Sequence, residues 1–201
     1  MRIIAGQYRG RTIKAPKGDD TRPTTDRVRE SMMDAVESAR AGLAGAVVLD
    51  AFAGSGALGL EAMSRGAERV VFFETAAGAL SVLRDNMGKL GLAAPQARVR
   101  KKDVLADPPV GARPPFDLVF LDPPYAYASQ EVLGMVAALR AGGALAPEAI
   151  VVYEHAVASD ASVDAAAAAC GFELARRKKY GDTSVDLLRS AQGEDEEDDP
   201  R

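Results

Sequence analysis

Residues 46–59 read Ala-Val-Val-Leu-Asp-Ala-Phe-Ala-Gly-Ser-Gly-Ala-Leu-Gly, an apolar run that stops at Asp50 and passes through Gly54 and Gly56 into a helical pattern near Ala57. A short apolar run followed by glycines is a buried strand feeding a helix. Glycine at 54 and 56 lets the backbone turn sharply and approach a ligand, and the new helix directs free N–H groups at whatever sits there. A cofactor belongs at this turn. With Gly59 the spacing also satisfies G-x-G-x-x-G, and Glu74 lies twenty residues beyond Gly54, at the end of the apolar run Val70–Phe73. That is the pattern of a dinucleotide fold with the acid on ribose hydroxyls, so a nicotinamide cofactor is one reading. Asp50 points to another. A carboxylate four residues before the first glycine crowds a pyrophosphate but suits the cationic amino acid portion of S-adenosylmethionine. Further on, the run Ala97–Arg100 leads to Asp103, placed where an adenine amino group lies in such an architecture.

The next informative stretch is Asp122-Pro123-Pro124-Tyr125, directly after the apolar run Leu118–Leu121. A buried strand that ends on a carboxylate, a proline pair whose carbonyls cannot join a helix, and an aromatic ring together make a slot for a planar base carrying an amino group. An exocyclic amine is a poor nucleophile because its lone pair is delocalised into the ring. Acceptors within about 2.6–3.2 Å of its hydrogens localise that pair and aim it at an electrophile. Asp122 and the Pro123 carbonyl are the candidate acceptors, and Tyr125 is the candidate stacking surface, worth about 1–3 kcal/mol per base. Methyl transfer to nitrogen fits both stretches, and the sulfonium cofactor is favoured over the nicotinamide.

Outward from these motifs, strands are expected near 46–50, 69–73, 97–101, 117–121 and 149–153, alternating with helices near 57–65, 76–90 and 130–141 that end at Gly66, Gly91 and Gly142. This alternation predicts an α/β fold with a mostly parallel sheet covered on both faces, its ligands at the carboxyl ends of the strands. Phe172–Lys179 and Ser184–Arg189 around Gly181-Asp182 read as two strands joined by a tight turn, which adds an antiparallel edge. Before the first core strand, one of Thr24, Thr25 or Asp26 caps a helix carrying Val28, Met32, Ala35 and Val36. The alanine run 165–169 reads as helix, and Pro108-Pro109 to Pro114-Pro115 as a stiff surface loop.

Five stretches taken together resemble one family: Met1–Arg11, Arg22-Pro-Thr-Thr-Asp-Arg-Val-Arg-Glu-Ser31, Asp50–Ala62, Asp122–Tyr125 and Tyr180-Gly-Asp-Thr183. They are similar to the RsmD family, bacterial methyltransferases acting on the N2 of a guanine in 16S ribosomal RNA, and the likeness runs to about Arg189. The resemblance implies a Rossmann-like S-adenosylmethionine-dependent methyltransferase fold with a seven-stranded sheet and an N-terminal β-hairpin extension. It implies that Asp50, Phe52, Gly54, Ser55, Gly56, Glu74 and Asp103 hold the cofactor, and that Asp122, Pro123, Pro124 and Tyr125 hold the target base. The substrate is then 16S rRNA, within the small ribosomal subunit. The expected organisation is a basic hairpin over 1–23, a methyltransferase domain over 24–190 and an acidic, disordered tail over 191–201.

The net charge of −4 is unpromising for an RNA enzyme until it is mapped along the chain. Six acids run without a break from Glu194 to Asp199, whereas residues 1–29 carry eight Lys or Arg against three acids. Clustering of that kind is the footprint of phosphate binding. Arg9 and Arg11 in an extended hairpin, with Arg22, Thr24 and Arg27, are the expected RNA contacts; smaller basic runs lie at Arg98–Lys102 and Arg176–Lys179. No apolar run approaches the roughly 18 residues that cross a bilayer. The start lacks a signal core, and the single cysteine, Cys170, cannot close an internal disulfide, so a cytoplasmic monomer without metal is expected. His155 has no neighbours in sequence that complete a nucleophile or a metal site, and a structural or surface role is expected. Three alternatives stand beside the guanine-N2 reading: an adenine-N6 methyltransferase acting on DNA or RNA, a nicotinamide oxidoreductase, and an RNA-binding module without catalysis.

Overall fold

A computed structural model describes residues 1–15, 26–124 and 126–191. The apolar runs form β1 (Val47–Asp50), β2 (Arg69–Phe73), β3 (Ala97–Arg100), β4 (Phe116–Leu121) and β5 (Leu145–Ala156), followed by β6 (Phe172–Tyr180) and β7 (Thr183–Ser190). Between and before them lie α1 (Asp26–Arg40), α2 (Ala57–Ser64), α3 (Ala77–Leu90), α4 (Ser129–Ala141) and α5 (Asp160–Ala169). One seven-stranded sheet results, ordered β3-β2-β1-β4-β5-β7-β6. The first five strands are parallel, and β7 runs antiparallel between β5 and β6. The expected parallel sheet with an antiparallel C-terminal strand is therefore present. Its fifth strand is longer than the sequence suggests: Leu145 already pairs with Phe116, and a register shift follows before Leu118 pairs with Ile150. Pro147 and Glu148 hide this extension, because a proline inside a strand reads as a break unless an irregularity absorbs it.

Alternation along each strand divides the core. Val48, Val70, Phe72, Leu118, Phe120, Ile150 and Val152 pack on one face with α1, α2 and α3, while Val47, Leu49, Phe73, Phe116, Val119, Leu121 and Val151 pack on the other with α4 and α5. Close approach of α2 to β2 depends on Gly59, since a Cβ there would lie 2.4 Å from the Phe72 ring and 2.8 Å from Val70. No helix among the described residues is long and apolar enough to cross a membrane.

The N-terminal hairpin is a closed loop, held by the antiparallel bridge Arg2–Thr12, and it folds down onto α2. Ile3 and Ile13 are buried with the core. The carboxylate of Glu61, itself fully buried, accepts the N–H groups of Ile4 (2.8 Å) and Ala5 (3.0 Å), and Ser64 Oγ accepts the N–H of Tyr8 at 3.0 Å. Gly6 permits this docking: its φ is +79° and a Cβ would fall 1.8 Å from the Ser64 carbonyl oxygen. Gly6→Ala should therefore lift the hairpin from α2 and destabilise the protein by about 3 kcal/mol, combining backbone strain with overpacking. Denaturant unfolding, together with faster amide exchange at Ile4, Ala5 and Tyr8, measures this. Unchanged stability and exchange would show that the docking tolerates a side chain.

Arg29 corrects the sequence reading of its segment. The segment reads as basic and ligand-facing, yet its Arg29 lies in the interior, donating to the Arg2 carbonyl and to Asp26 and reaching Met1 Sδ at 3.5 Å. It holds the hairpin against α1 and cannot reach a ligand. Arg27 is exposed, while Arg22 and Thr24 lie outside the described residues, as does the acidic run 194–199.

Candidate active site

Parallel strands end on the same side of a sheet, so the sequence positions of the acids become a spatial row. Asp50 closes β1 and pairs in register with Phe120 of β4 on one side and Phe72 of β2 on the other. Asp122 and Glu74 each lie two residues beyond those partners, and Asp103 lies three beyond Arg100 at the end of β3. The order Asp103, Glu74, Asp50, Asp122 thus crosses four neighbouring strand ends, spaced by about 4.8 Å per strand. Every described acid assigned from sequence stands in this row.

Asp50 is buried, and one of its carboxylate oxygens accepts the N–H of Gly59 at 3.0 Å. Burial raises its carboxyl to about 7; the hydrogen bond opposes that shift, and the charges of Asp122 and Glu74 reinforce it. Asp122, just beyond β4, is open to solvent on one side but surrounded by protein on the others, and desolvation raises it to about 6. Two carboxylates of like charge on neighbouring strand ends, one of them buried, favour a cationic guest.

The glycine turn is braced on both sides. Gly54 donates to Glu74 at 2.8 Å, and the other Glu74 oxygen accepts the N–H groups of Thr75 and Ala76, both at 2.7 Å. Three backbone donors thus hold Glu74, which fixes the turn against the end of β2, and the oxygen that meets Gly54 keeps acceptor capacity. Gly54 has φ +53° and open space where a side chain would be, whereas a Cβ at Gly56 would strike Leu83 at 2.3 Å. The first glycine leaves room for a ligand and the second allows packing. Ser55 is buried in the turn, and Asp103 caps its own loop by accepting the N–H of Leu105 at 2.9 Å.

Several contributors are invisible in the motifs. Asn86 of α3, fully buried, donates to the carbonyls of Ser55 and Lys14 and accepts the N–H of Lys14, so it ties the hairpin to the cofactor turn. Tyr127 places its ring 5.9 Å from that of Phe52, linking the turn after β1 to the segment after β4, and its N–H is bonded to the Pro124 carbonyl at 3.2 Å. The Pro123 carbonyl makes no hydrogen bond with the described residues, nor does the Asp122 carboxylate. Both are free to receive a donor. Tyr125, the expected stacking ring, lies outside the described residues. A repeated Tyr-x-Tyr spacing is the only signal that could have pointed to Tyr127.

On the same side of the sheet, the Gly181-Asp182 turn between β6 and β7 stands beside α1. Tyr180 and Lys178 both donate to Ser31 Oγ, at 2.7 and 2.9 Å, so two stretches of the family resemblance meet in one contact. His155 has the expected structural role, but in the interior: its Nε2 lies 3.0 Å from Asp186, which Arg177 also grips through two nitrogens. Burial opposes the charge on Asp186, yet the Arg177 and His155 hydrogen bonds outweigh it and hold the carboxyl below its usual range. Arg9 is exposed with no ion pair among the described residues; Arg11 is exposed too, but donates to the Lys89 carbonyl and lies 5.3 Å from the centre of the Tyr8 ring. Among the described residues no group of three or more His, Cys, Asp or Glu is arranged to hold a metal ion.

The sequence and the fold have relatives among known proteins. Ribosomal RNA small subunit methyltransferase D of Escherichia coli K12 is 35% identical over 200 residues, covering 98% of this chain and 94% of that protein. A solved structure from Escherichia coli, 34% identical, superposes with a TM-score of 0.76 over 96% of this chain and 99% of its own. The magnesium protoporphyrin IX methyltransferase of Synechocystis PCC 6803, solved with bound SAM, is 18% identical with a TM-score of 0.59 over 81% of this chain and 79% of its own, and shares the fold alone. The family model described as Conserved hypothetical protein 95 matches residues 1–189, and with these relatives it establishes that the chain belongs to that family, the RsmD family of methyltransferases.

Proposed function

We propose that this protein transfers the methyl group of S-adenosylmethionine to the N2 amine of a guanine in 16S ribosomal RNA, within the small subunit. The observation that carries the reading is the pair Asp50 and Asp122 on adjacent strand ends, one buried and one exposed to an incoming base. S-adenosylmethionine, when bound, supplies a methyl carbon on a cationic sulfur and carries an ammonium group on its amino acid portion. Asp50 balances that cationic portion, the open side of Gly54 gives it room, and Glu74 and Asp103 face the ribose and adenine beyond. The same turn argues against a dinucleotide. Asp50 already accepts the N–H of Gly59 in the first turn of α2, so the helix start that would hold a pyrophosphate is occupied by a carboxylate of the chain.

At the other end of the cleft, Asp122 and the Pro123 carbonyl accept the two hydrogens of the guanine amine and localise its lone pair. Tyr125 stacks on the base, and Pro124 restricts the backbone that leads to it. As N2 becomes cationic, the Asp122 carboxylate stabilises it and takes up the released proton, a task suited to a carboxyl raised to about 6. Positioning supplies most of the rate. A paired guanine hides its amine edge, so the target is unpaired or turned out of its stack. Arg9 and Arg11, on the part of the hairpin that docks at the C-terminal ends of α2 and α3, contact the RNA backbone away from the reacting base, and Arg22, Thr24 and Arg27 are further contacts in this reading.

Incubation with tritiated S-adenosylmethionine and small subunits lacking the modification tests the reading. Label should appear in a single 16S guanine as N2-methylguanosine. Label on adenine, or none at all while the cofactor binds, would replace the proposal with the adenine-N6 or the non-catalytic alternative. Charge reversal at Arg9 and Arg11 should raise KM for subunits about tenfold or more with little change in kcat, as phosphate contacts act mainly on binding. An unchanged KM would remove the hairpin from the RNA interface.

A further inference from the structure

The connection from β3 to β4, residues 101–115, is where a doubly wound sheet ordinarily places a covering helix. Here Pro108, Pro109, Pro114 and Pro115 prevent one, and the face of β1, β2 and β3 opposite α2 and α3 is covered only by a loop. A cavity of about 340 Å³ remains beneath it. Its floor is apolar, formed by Val47, Val71, Phe73 and Phe116, and Arg69, Arg98, Arg100 and Arg113 also line it. Register explains the cluster: Arg98 pairs with Val71 and Arg100 with Phe73, so the two β3 arginines stand on the same face as those apolar residues, at the free edge of the sheet.

The balance of charge is uneven. Arg69 lies 4.0 Å from Glu68, and Arg113 donates to the carbonyls of Ala112 and Gly142. The guanidinium groups of Arg98 and Arg100 are exposed and have no ion-pair or hydrogen-bond partner among the described residues. Arginines gathered around an apolar hollow, with so little countercharge, match a ligand that is anionic on one side and planar and apolar on the other. An unpaired nucleotide has that form: the guanidinium groups take its phosphates, and the base lies against the floor.

We infer that this cavity is a second RNA-binding site, which holds an unpaired nucleotide and its flanking phosphates away from the methyl-transfer cleft. It extends the functional reading above, since it takes the ligand to be part of the RNA substrate. The site would anchor the substrate without touching the reacting base.

The test compares the wild-type protein with the double variant Arg98→Ala, Arg100→Ala and with a control of equal charge loss, Arg84→Ala, Lys89→Ala, on α3 against the opposite face. Equilibrium binding to unmethylated small subunits is measured over a range of KCl concentrations, alongside the KM and kcat of methyl transfer. The cavity variant should bind about tenfold more weakly at 100 mM salt and lose roughly two units of slope in log K against log salt, one for each phosphate contact removed. Its kcat and its affinity for S-adenosylmethionine should stay at the wild-type values. Unchanged affinity and slope would overturn the inference, as would an equal loss in the control pair. Titration with inorganic phosphate supplies the remaining arm: phosphate binding abolished in the cavity variant, with RNA binding intact, would mean a free-anion site and also overturn it. Should the wild-type protein bind subunits but transfer no label, the methyltransferase reading fails while the binding comparison still decides this one.

Discussion

Asp122→Ala should lower single-turnover methyl transfer by at least about 10³-fold, the loss expected when a positioned acceptor and proton-taking group is removed, while S-adenosylmethionine binds within about threefold of the wild-type affinity. Calorimetry with the cofactor and a rapid-mixing assay with labelled cofactor and small subunits give the two numbers. The separation follows from geometry. Asp122 stands at the end of β4 and makes no hydrogen bond with the described residues, so its removal leaves the turn after β1 intact. Loss of both properties would mean that the side chain supports the site instead of reacting in it. The pH profile gives an independent check. Both Asp50, at about 7, and Asp122, at about 6, must be ionised in the free enzyme. The kcat/KM should therefore rise with pH, with a slope approaching two below about pH 6 and a plateau above about pH 7. In kcat, the bound cation already holds Asp50 ionised, and only the Asp122 limb should remain.

Asp50→Asn should have two large effects of opposite sign. Removing the carboxylate weakens S-adenosylmethionine binding by about 10- to 100-fold at pH 8, the value of a hydrogen-bonded charge opposite a cation. It also stabilises the free protein at that pH. The sign follows from linkage: the folded-state carboxyl, at about 7, lies above its ordinary 3.8, so its contribution to stability is fully present below 3.8 and is lost as pH rises through 7. Ionising Asp50 in the free protein therefore costs up to about 4 kcal/mol above pH 7, and asparagine avoids this while its amide oxygen still accepts the Gly59 N–H. A melting temperature higher than wild type by about 5 °C or more at pH 8, with the difference vanishing near pH 4, is the expected thermal-unfolding result. A lower melting temperature at pH 8 would show that the carboxylate is stabilising in the free protein. In the wild-type protein the ionised Asp50 is a strain that the cationic cofactor relieves, and affinity should rise with pH up to about 7.

The sequence-based assignments that agree with the structure rest on sharp changes of residue type. Asp50 and Asp122 are legible because each ends an uninterrupted apolar run, and a carboxylate at such a boundary must lie at a strand end. Gly54 and Gly56 are legible because few other residues make that turn. The proline loop between β3 and β4 is legible too, but the expectation of a sheet covered by helices on both faces is not met there, because that loop stands where a helix over β1, β2 and β3 would lie. Glu61, Asn86 and Arg29 are different. In a helical pattern each passes for a solvent-facing residue, and each is buried because the hairpin, distant in sequence, lies over it. His155 meets Asp186 only because β7 returns antiparallel beside β5, a pairing that neither segment specifies by itself. Polar groups buried by long-range contacts carry no local period, and this is where the reading of single elements ends.

The central claim is that one cleft, at the carboxyl ends of β1 and β4, brings the cofactor and the guanine amine together. A crystal structure of the Asp122→Asn protein with S-adenosylmethionine and an RNA fragment containing the target guanine measures this directly. The account predicts that N2 lies about 3–3.5 Å from the methyl carbon and within hydrogen-bond distance of residue 122 and the Pro123 carbonyl. Cofactor and guanine found in separate cavities, or a guanine whose N2 faces away from residue 122, would contradict it.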